Sequence, residues 1–146
     1  MQNWYLSTLV LKSFESKLTT HHQITTIHFH LGLPFIKDIK IGTMNIMIQH
    51  TSASISVNEC WDDSVRVDME MMLNRLVPES APYTHTLEGP DDMPAHVKCS
   101  LMGSSVTIPI CEGRLGLGTW QGVWLCEHRD RASAREFVVT VQGCES

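Results

Sequence analysis

Apolar residues recur at every second position in several short stretches, the period of a strand with one buried face. Met44, Ile46 and Ile48 alternate with Asn45, Met47 and Gln49. Ala53, Ile55 and Val57 alternate with Ser52, Ser54, Ser56 and Asn58. Val106, Ile108 and Ile110 alternate with Thr107 and Pro109. Proline lacks an N–H, so that strand is expected at an edge or a bulge. Further on, Val123 and Leu125 share a face with Gln121 and Glu127, while Trp124, Cys126 and His128 share the other. Phe137, Val139 and Val141 predict a last strand, and Trp4–Leu11 and Gln23–Phe29 read the same way near the start.

Two stretches change to the helical period. Trp61, Val65, Met69, Met72, Leu73 and Leu76 fall on one stripe, with Asn58 or Asp62 placed to cap its start and Pro78 to stop it. The spacing predicts a second helix from Asp91 or Asp92 to Gly103, with Pro94 in its first turn and Met93, Val97 and Leu101 turned inward. Between the two lies a turn-rich stretch from Pro78 to Pro94 that carries His85 and is too long for an ordinary connection. Many strands and two main helices in no alternating order predict a single α+β domain over residues 1–146, with mostly antiparallel sheets.

Composition narrows the possibilities. A chain of 146 residues, 42% hydrophobic and with a net charge of −5, is neither disordered nor too short for a core. With 16 acidic against 11 basic residues, a general nucleic-acid surface is not expected. No run approaches the ~20 apolar residues that span a bilayer, so no membrane association is expected. The start, Met1-Gln2-Asn3-Trp4, lacks the basic and apolar regions of a secretory leader, and a cytoplasmic protein is expected. Five cysteines without a CxxC pair predict reduced and mostly buried thiols, Cys60 among them. Eight histidines, at 21, 22, 28, 30, 50, 85, 96 and 128, are more than packing alone would call for.

Four places hold side chains suited to chemistry. His50-Thr51-Ser52-Ala53-Ser54 ends one strand and starts the next, and Asn58-Glu59 leads towards a helix. Hydroxyls and free N–H groups there suit phosphate oxygens, although a Ser/Thr-rich strand with a capping Asn reads equally well. His85 and His96, with Lys98 beyond, lack a helical ligand spacing, so the fold must bring them together for a metal. The alternative is histidines that only cap or hydrogen-bond. In Glu112–Gln121, Gly113, Gly116 and Gly118 precede a strand rather than a helix, which excludes a dinucleotide fingerprint and predicts a hairpin. Trp120 offers a face on which a ring can stack. Glu127-His128-Arg129-Asp130-Arg131 closes a strand, either as a solvated end or with Arg129 or Arg131 as a phosphate fork. No nucleophile elbow or P-loop is present.

The run from His50-Thr51-Ser52-Ala53 to Asn58-Glu59 resembles the YjbQ family, whose members are described as secondary thiamine-phosphate synthase enzymes. So do Leu76-Val77-Pro78-Glu79, Tyr83-Thr84-His85, Glu88-Gly89, Asp91–Lys98, Leu101–Ser105, Gly118–Gln121 and Glu127-His128-Arg129. The likeness is close over about residues 42–143 and loose before that. Gly116 departs from an expected alanine, which loosens the hairpin without removing a functional group.

The resemblance implies packed antiparallel sheets, a homotrimer, and a metal or anion site beside the histidines. It assigns His50, His85 and His96 to a divalent ion, zinc or magnesium. The activity it implies joins a pyrimidine pyrophosphate to a thiazole phosphate. The thiazole nitrogen attacks the pyrimidine methylene and pyrophosphate leaves, which calls for charge stabilisation and alignment rather than a strong base. On this reading Asn58, Glu59, Lys98 and Gln121 are catalytic candidates, and Thr51, Ser52, Trp120 and Arg129 contact the phosphorylated substrate. Two other expectations stand beside it: a non-catalytic trimer that binds metal or phosphoesters, and a zinc-dependent phosphoester hydrolase.

Overall fold

A computed structural model describes residues 4–14, 24–27, 34–131 and 134–145. The histidines at 21, 22, 28 and 30, and the ends of the strand expected over Gln23–Phe29, lie outside the described residues. In chain order the elements are β1 (Trp4–Phe14), β2 (Ile24–Ile27), β3 (Ile39–Ile48), β4 (Ala53–Glu59), α1 (Asp63–Leu76), α2 (Asp92–Met102), β5 (Ser105–Cys111), β6 (Arg114–Leu115), β7 (Gln121–Glu127) and β8 (Arg135–Glu145). Every strand pair is antiparallel. One sheet has the order β1-β8-β3-β5-β6 and the other β2-β7-β4. The architecture is α+β, as the alternation of apolar positions implies.

Period-two patterning explains how the layers stack. Met44, Ile46 and Ile48 from β3, Ile108 and Ile110 from β5, and Phe137, Val139 and Val141 from β8 form one inner face. They pack against Ala53 and Ile55 of β4 and Val123 and Leu125 of β7. The alternate residues of β7, Trp124 and Cys126, point the other way and meet Leu73 of α1. The small sheet is therefore covered on both faces. Burial pushes the Cys126 thiol up to about 12. All five cysteines are free and three are buried.

Pro109 sits where its missing N–H is harmless. Its carbonyl accepts from Gly116 at 2.7 Å on the outer side of β5. In an antiparallel strand a residue's N–H and C=O point to the same side, so the absent donor also faces that short edge. The β5–β6 turn is made by Glu112 and Gly113, with φ of 48° and 72°. Two positive φ values in a two-residue loop are the primed geometry that matches strand twist. A Cβ on Gly113 would stand 2.5 Å from the Lys37 carbonyl oxygen.

Helix α1 packs on the middle of its predicted stripe, whereas α2 turns a different face inward from the one its apolar residues mark. Asp62 caps α1, its Oδ1 accepting from Ser64 N at 2.8 Å, so Trp61 precedes the helix and is 76% exposed. Leu76 is also exposed, and the contact with β7 rests on Leu73, with Val65 and Met69 partly buried. Asn58 lies within β4 and caps no helix. In α2 the buried set is Asp92, Pro94, Ala95, Lys98 and Cys99, whereas Leu101 is exposed. Small residues let this helix lie close on β4, where the Cys99 Sγ donates to the Ala53 carbonyl at 3.1 Å. The helix so placed carries Asp92 and His96 to the end of the strand.

No helix among the described residues is long and apolar enough to cross a membrane. The face assignment has a direct check by chemical denaturation. Ile55→Ala, at a fully buried position, should cost about 2–5 kcal/mol, while Leu101→Ala should change stability by less than about 0.5 kcal/mol.

Candidate functional site

A cleft of about 690 Å³ opens where β3, β4, β7 and β8 end and α2 begins. The turn from β3 to β4 supplies His50, Thr51 and Ser52; the start of α2 supplies Asp92 and His96; the preceding stretch supplies His85. These groups are far apart in sequence. Antiparallel pairing aligns Ala53 with Glu127 and Ile48 with Phe137, which gathers them at one end.

Asp92 is at the centre. It is 1% exposed, and His85 Nε2 lies 2.9 Å and His96 Nε2 3.3 Å from its Oδ2. The Arg129 guanidinium holds its other oxygen. On the far side of its ring, His96 Nδ1 is 3.0 Å from the Thr51 carbonyl and 3.2 Å from the Ser52 hydroxyl. A carbonyl only accepts, so Nδ1 carries a proton, and in the neutral ring Nε2 then turns its lone pair to the Asp92 carboxylate. Two acceptors then face each other at 3.3 Å, an arrangement that a proton or a cation between them would satisfy. One ligating atom from each of His85, Asp92 and His96 lies within 4.8 Å of the others, so the three can hold a metal.

Arg129 is bound on all sides. It donates to Asp91 Oδ2 at 2.8 Å, to the Glu88 carbonyl at 2.8 Å and to Asp92. The Asp91 hydrogen bond leads in raising its pKa above the ordinary arginine value. Burial pushes the Asp91 carboxyl up, but the bonds from Arg129 and from Asp130 N outweigh it and hold the group below the usual range. Asp91 stands at the N-cap of α2 without capping it, because its carboxylate is spent on Arg129. Arg129 thus orients Asp92, with its N–H groups directed at carboxylates and a carbonyl.

Beneath the cleft lies a buried ion pair. Arg135 and Glu127 are 5% and 1% exposed and bond twice, Nε to Oε2 at 2.7 Å and Nη2 to Oε1 at 2.8 Å. Glu127 Oε1 also accepts from the N–H groups of His128 and Arg129, each at 3.0 Å. The third guanidinium nitrogen of Arg135 reaches His50 Nε2 at 2.6 Å. His50 Nδ1 accepts from Ser52 N at 3.0 Å. Burial first, and then the Arg135 charge, lowers the His50 pKa below 6.5.

The candidates read from the sequence divide between two places. Thr51, Ser52, His50, His85, His96 and Arg129 line the cleft. Asn58, Glu59, Trp120 and Gln121 lie at the opposite end of β4 and β7, since Glu59 pairs with Gln121. Seven-residue strands put them about 20 Å away. There Asn58 Oδ1 accepts from Glu59 N, Gln121 Oε1 accepts from Gly118 N, and Trp120 meets Trp61 edge to face at 5.4 Å. Lys98 is two residues beyond His96 on α2, so it faces inward, donating to Asn74 Oδ1 at 2.6 Å. Burial lowers its pKa, against the charges of Glu79, Asp130 and Glu70. His128 is also behind the cleft, with Nε2 on the Ser54 hydroxyl.

Asp92 and Glu127 lie in stretches that the sequence singles out without giving them a role, and Arg135 is not singled out, yet each leaves a signal. Asp92 and His96 have the i, i+4 spacing that puts two ligands on one helical face. Glu127 continues the core-facing parity of Val123 and Leu125, and Arg135 begins that of Phe137 and Val139. Opposite charges at core positions of two strands point to one buried pair.

A sequence model for "UPF0047 protein YjbQ-like" matches residues 13–144. The UPF0047 protein YjbQ of Salmonella typhimurium is 44% identical over 142 residues, covering 96% of this chain and 99% of that one. Its counterpart in Escherichia coli O157:H7 is 41% identical over 140 residues, with the same coverage. A crystal structure of a YjbQ/UPF0047-family protein from Clostridium acetobutylicum superposes with a TM-score of 0.74 at 32% identity, covering 92% of this chain and 98% of the other.

The buried His128 generates a pH prediction. Burial first, then the Lys98 and Arg135 charges, lowers its pKa from 6.5 to about 4. The unfolded chain therefore takes up this proton before the folded one does. The contribution of His128 to stability is complete above pH 6.5 and is lost as pH falls from 6.5 to 4. Between pH 7 and 5 the loss should be about 2 kcal/mol. Urea titrations at the two pH values, compared with His128→Gln, should show a correspondingly flatter pH dependence in the variant.

Proposed function

The chain belongs to the YjbQ-like UPF0047 family, and we propose that it is a metal-dependent enzyme acting on a phosphorylated small molecule in the cleft. The observation that carries this reading is the convergence of His85, Asp92 and His96 within 4.8 Å, with His96 and Asp92 held from behind. Outer partners that fix the tautomer of one ligand and the orientation of another are characteristic of metal sites. His85, His96 and Asp92 would be the ligands. Two imidazoles and one carboxylate suit zinc or a similar transition metal better than magnesium, which favours oxygen ligands. The bound ion would supply charge neutralisation at phosphoryl oxygens.

The reaction to which the family resemblance points is thiamine-phosphate synthesis. A C–N bond forms between the thiazole nitrogen and the pyrimidine methylene, and the C–O bond to pyrophosphate breaks. The cleft residues have three tasks in that reaction. His50, Arg135 and the exposed Arg131 meet phosphate oxygens. Arg129 holds Asp92 in place. The adjoining groove of about 890 Å³, which includes Met47, Gln49, Ser100 and Ser104 and shares His50 and His96, receives the organic part of the substrate. Trp120, Asn58 and Gln121 of the same chain have no part in it. A homotrimer is part of this proposal, and light scattering of the untagged protein reading three chains supports it.

Element analysis of untagged protein, together with turnover of the two thiamine precursors, tests the reading. The wild type should hold about one metal per chain and turn over at the rates typical of enzymes, roughly 1–10³ per second. His96→Ala and Asp92→Asn should lose both metal and turnover while circular dichroism stays unchanged. Full metal content in both variants refutes the ligand set. Metal loss without any turnover in the wild type leaves a binding protein, and loss of phosphate from a single precursor identifies a hydrolase.

A further inference from the structure

The hydrogen bonds of His50 do not balance. Ser52 N–H at Nδ1 and the Arg135 guanidinium at Nε2 both direct donors at a ring that, when neutral, has one lone pair. With the Ser52 bond kept at 3.0 Å, the ring proton is on Nε2. Yet the group facing Nε2, at 2.6 Å, is the Arg135 guanidinium, which only donates. Donor stands against donor. Protonating the ring removes nothing, because it would set an Nδ1–H against Ser52 N–H. Rotating the guanidinium away is opposed by its two bonds to the buried Glu127 carboxylate. An acceptor that takes both N–H groups from the cleft side resolves the contact.

We propose that His50 Nε2–H and Arg135 Nη1 form an oxyanion subsite that receives a phosphate group of the substrate, beside the His85–Asp92–His96 group and distinct from it. This deepens the proposed function and rests on it for the substrate's phosphate. Three observations favour phosphate. Both groups line the cleft, together with the exposed Thr51 and the cation Arg131 on its rim. Arg135 is held rigidly, with its remaining donor aimed inward, as a pre-organised anion contact requires. His50 is not among the residues whose ligating atoms converge within 4.8 Å, so it is available for this task. Burial lowers the pKa of the ring, the direction that favours keeping the Ser52 bond to Nδ1.

The test uses the full chain stripped of metal by a chelator and titrated with inorganic phosphate. Long-range proton–nitrogen NMR reports the tautomer of each histidine. The expected result is a His50 unprotonated at Nδ1, whose Nε2–H resonance shifts with phosphate and much less with acetate. His50→Ala should weaken phosphate binding by roughly ten-fold or more, and His50→Gln, which keeps an N–H donor, should recover part of it. The titration is made without metal, and metal content is measured separately on untreated protein. Thus absence of metal refutes the metal reading alone, and the phosphate response is judged separately. A His50 protonated at Nδ1, equal phosphate affinity in wild type and His50→Ala, or an equal response to acetate would each overturn the inference.

Discussion

A single three-residue turn gives the two central imidazoles opposite characters. The Ser52 N–H occupies Nδ1 of His50 and leaves that ring a donor into the cleft. The Thr51 carbonyl occupies Nδ1 of His96 and leaves that ring an acceptor. Neutral histidine has one proton for two nitrogens, so whatever binds the inner nitrogen dictates what the outer one offers. Both contacts come from the single Thr51–Ser52 peptide group, whose C=O and N–H point to opposite sides, so one ring is left a donor and the other an acceptor. The separation of roles needs no difference in residue type.

The turn is held in register by the pair beneath it. Glu127 occupies the last core-facing position of β7 and Arg135 the first of β8, one in each sheet, and they join the sheets at the end where the cleft opens. Desolvating two such charges is costly, and their attraction repays it only when the remaining polar atoms are also satisfied. Here Glu127 takes two backbone N–H groups besides the guanidinium. Arg129, two residues on, repeats the scheme with Asp91 and Asp92. In both cases an arginine is bound to carboxylates in a way that positions another group: His50 beside Arg135, and Asp92 against Arg129.

Strands were legible because the inner faces of both sheets are apolar and the opposite faces mostly are not. Met44 to Ile48, Ala53 to Val57 and Phe137 to Val141 alternate as they pack. Both helices were legible in position, and α1 in part in orientation, but the face of α2 was not. In α2 the small and polar residues face the sheet, since Ala95 and Cys99 allow close approach and Asp92 must reach His85 and Arg129. A hydrophobicity pattern does not register a face chosen for its fit and its charge. The site was half legible, since histidines can be listed but not located.

What the amino-acid order by itself determined is local: the strand period, the cap at Asp62, the stop at Pro78, the turn at Glu112-Gly113 and the supply of imidazoles. Those depend on backbone conformation and neighbours a few residues away. Which residues meet was decided by antiparallel pairing. Register placed Thr51 and Ser52 with His128 and Arg129 at one end of β4 and β7, and Asn58 and Glu59 with Trp120 and Gln121 at the other. The two groups are equally polar and equally plausible in sequence, but a strand of seven residues is longer than any side chain can reach, so membership in the cleft was a matter of distance.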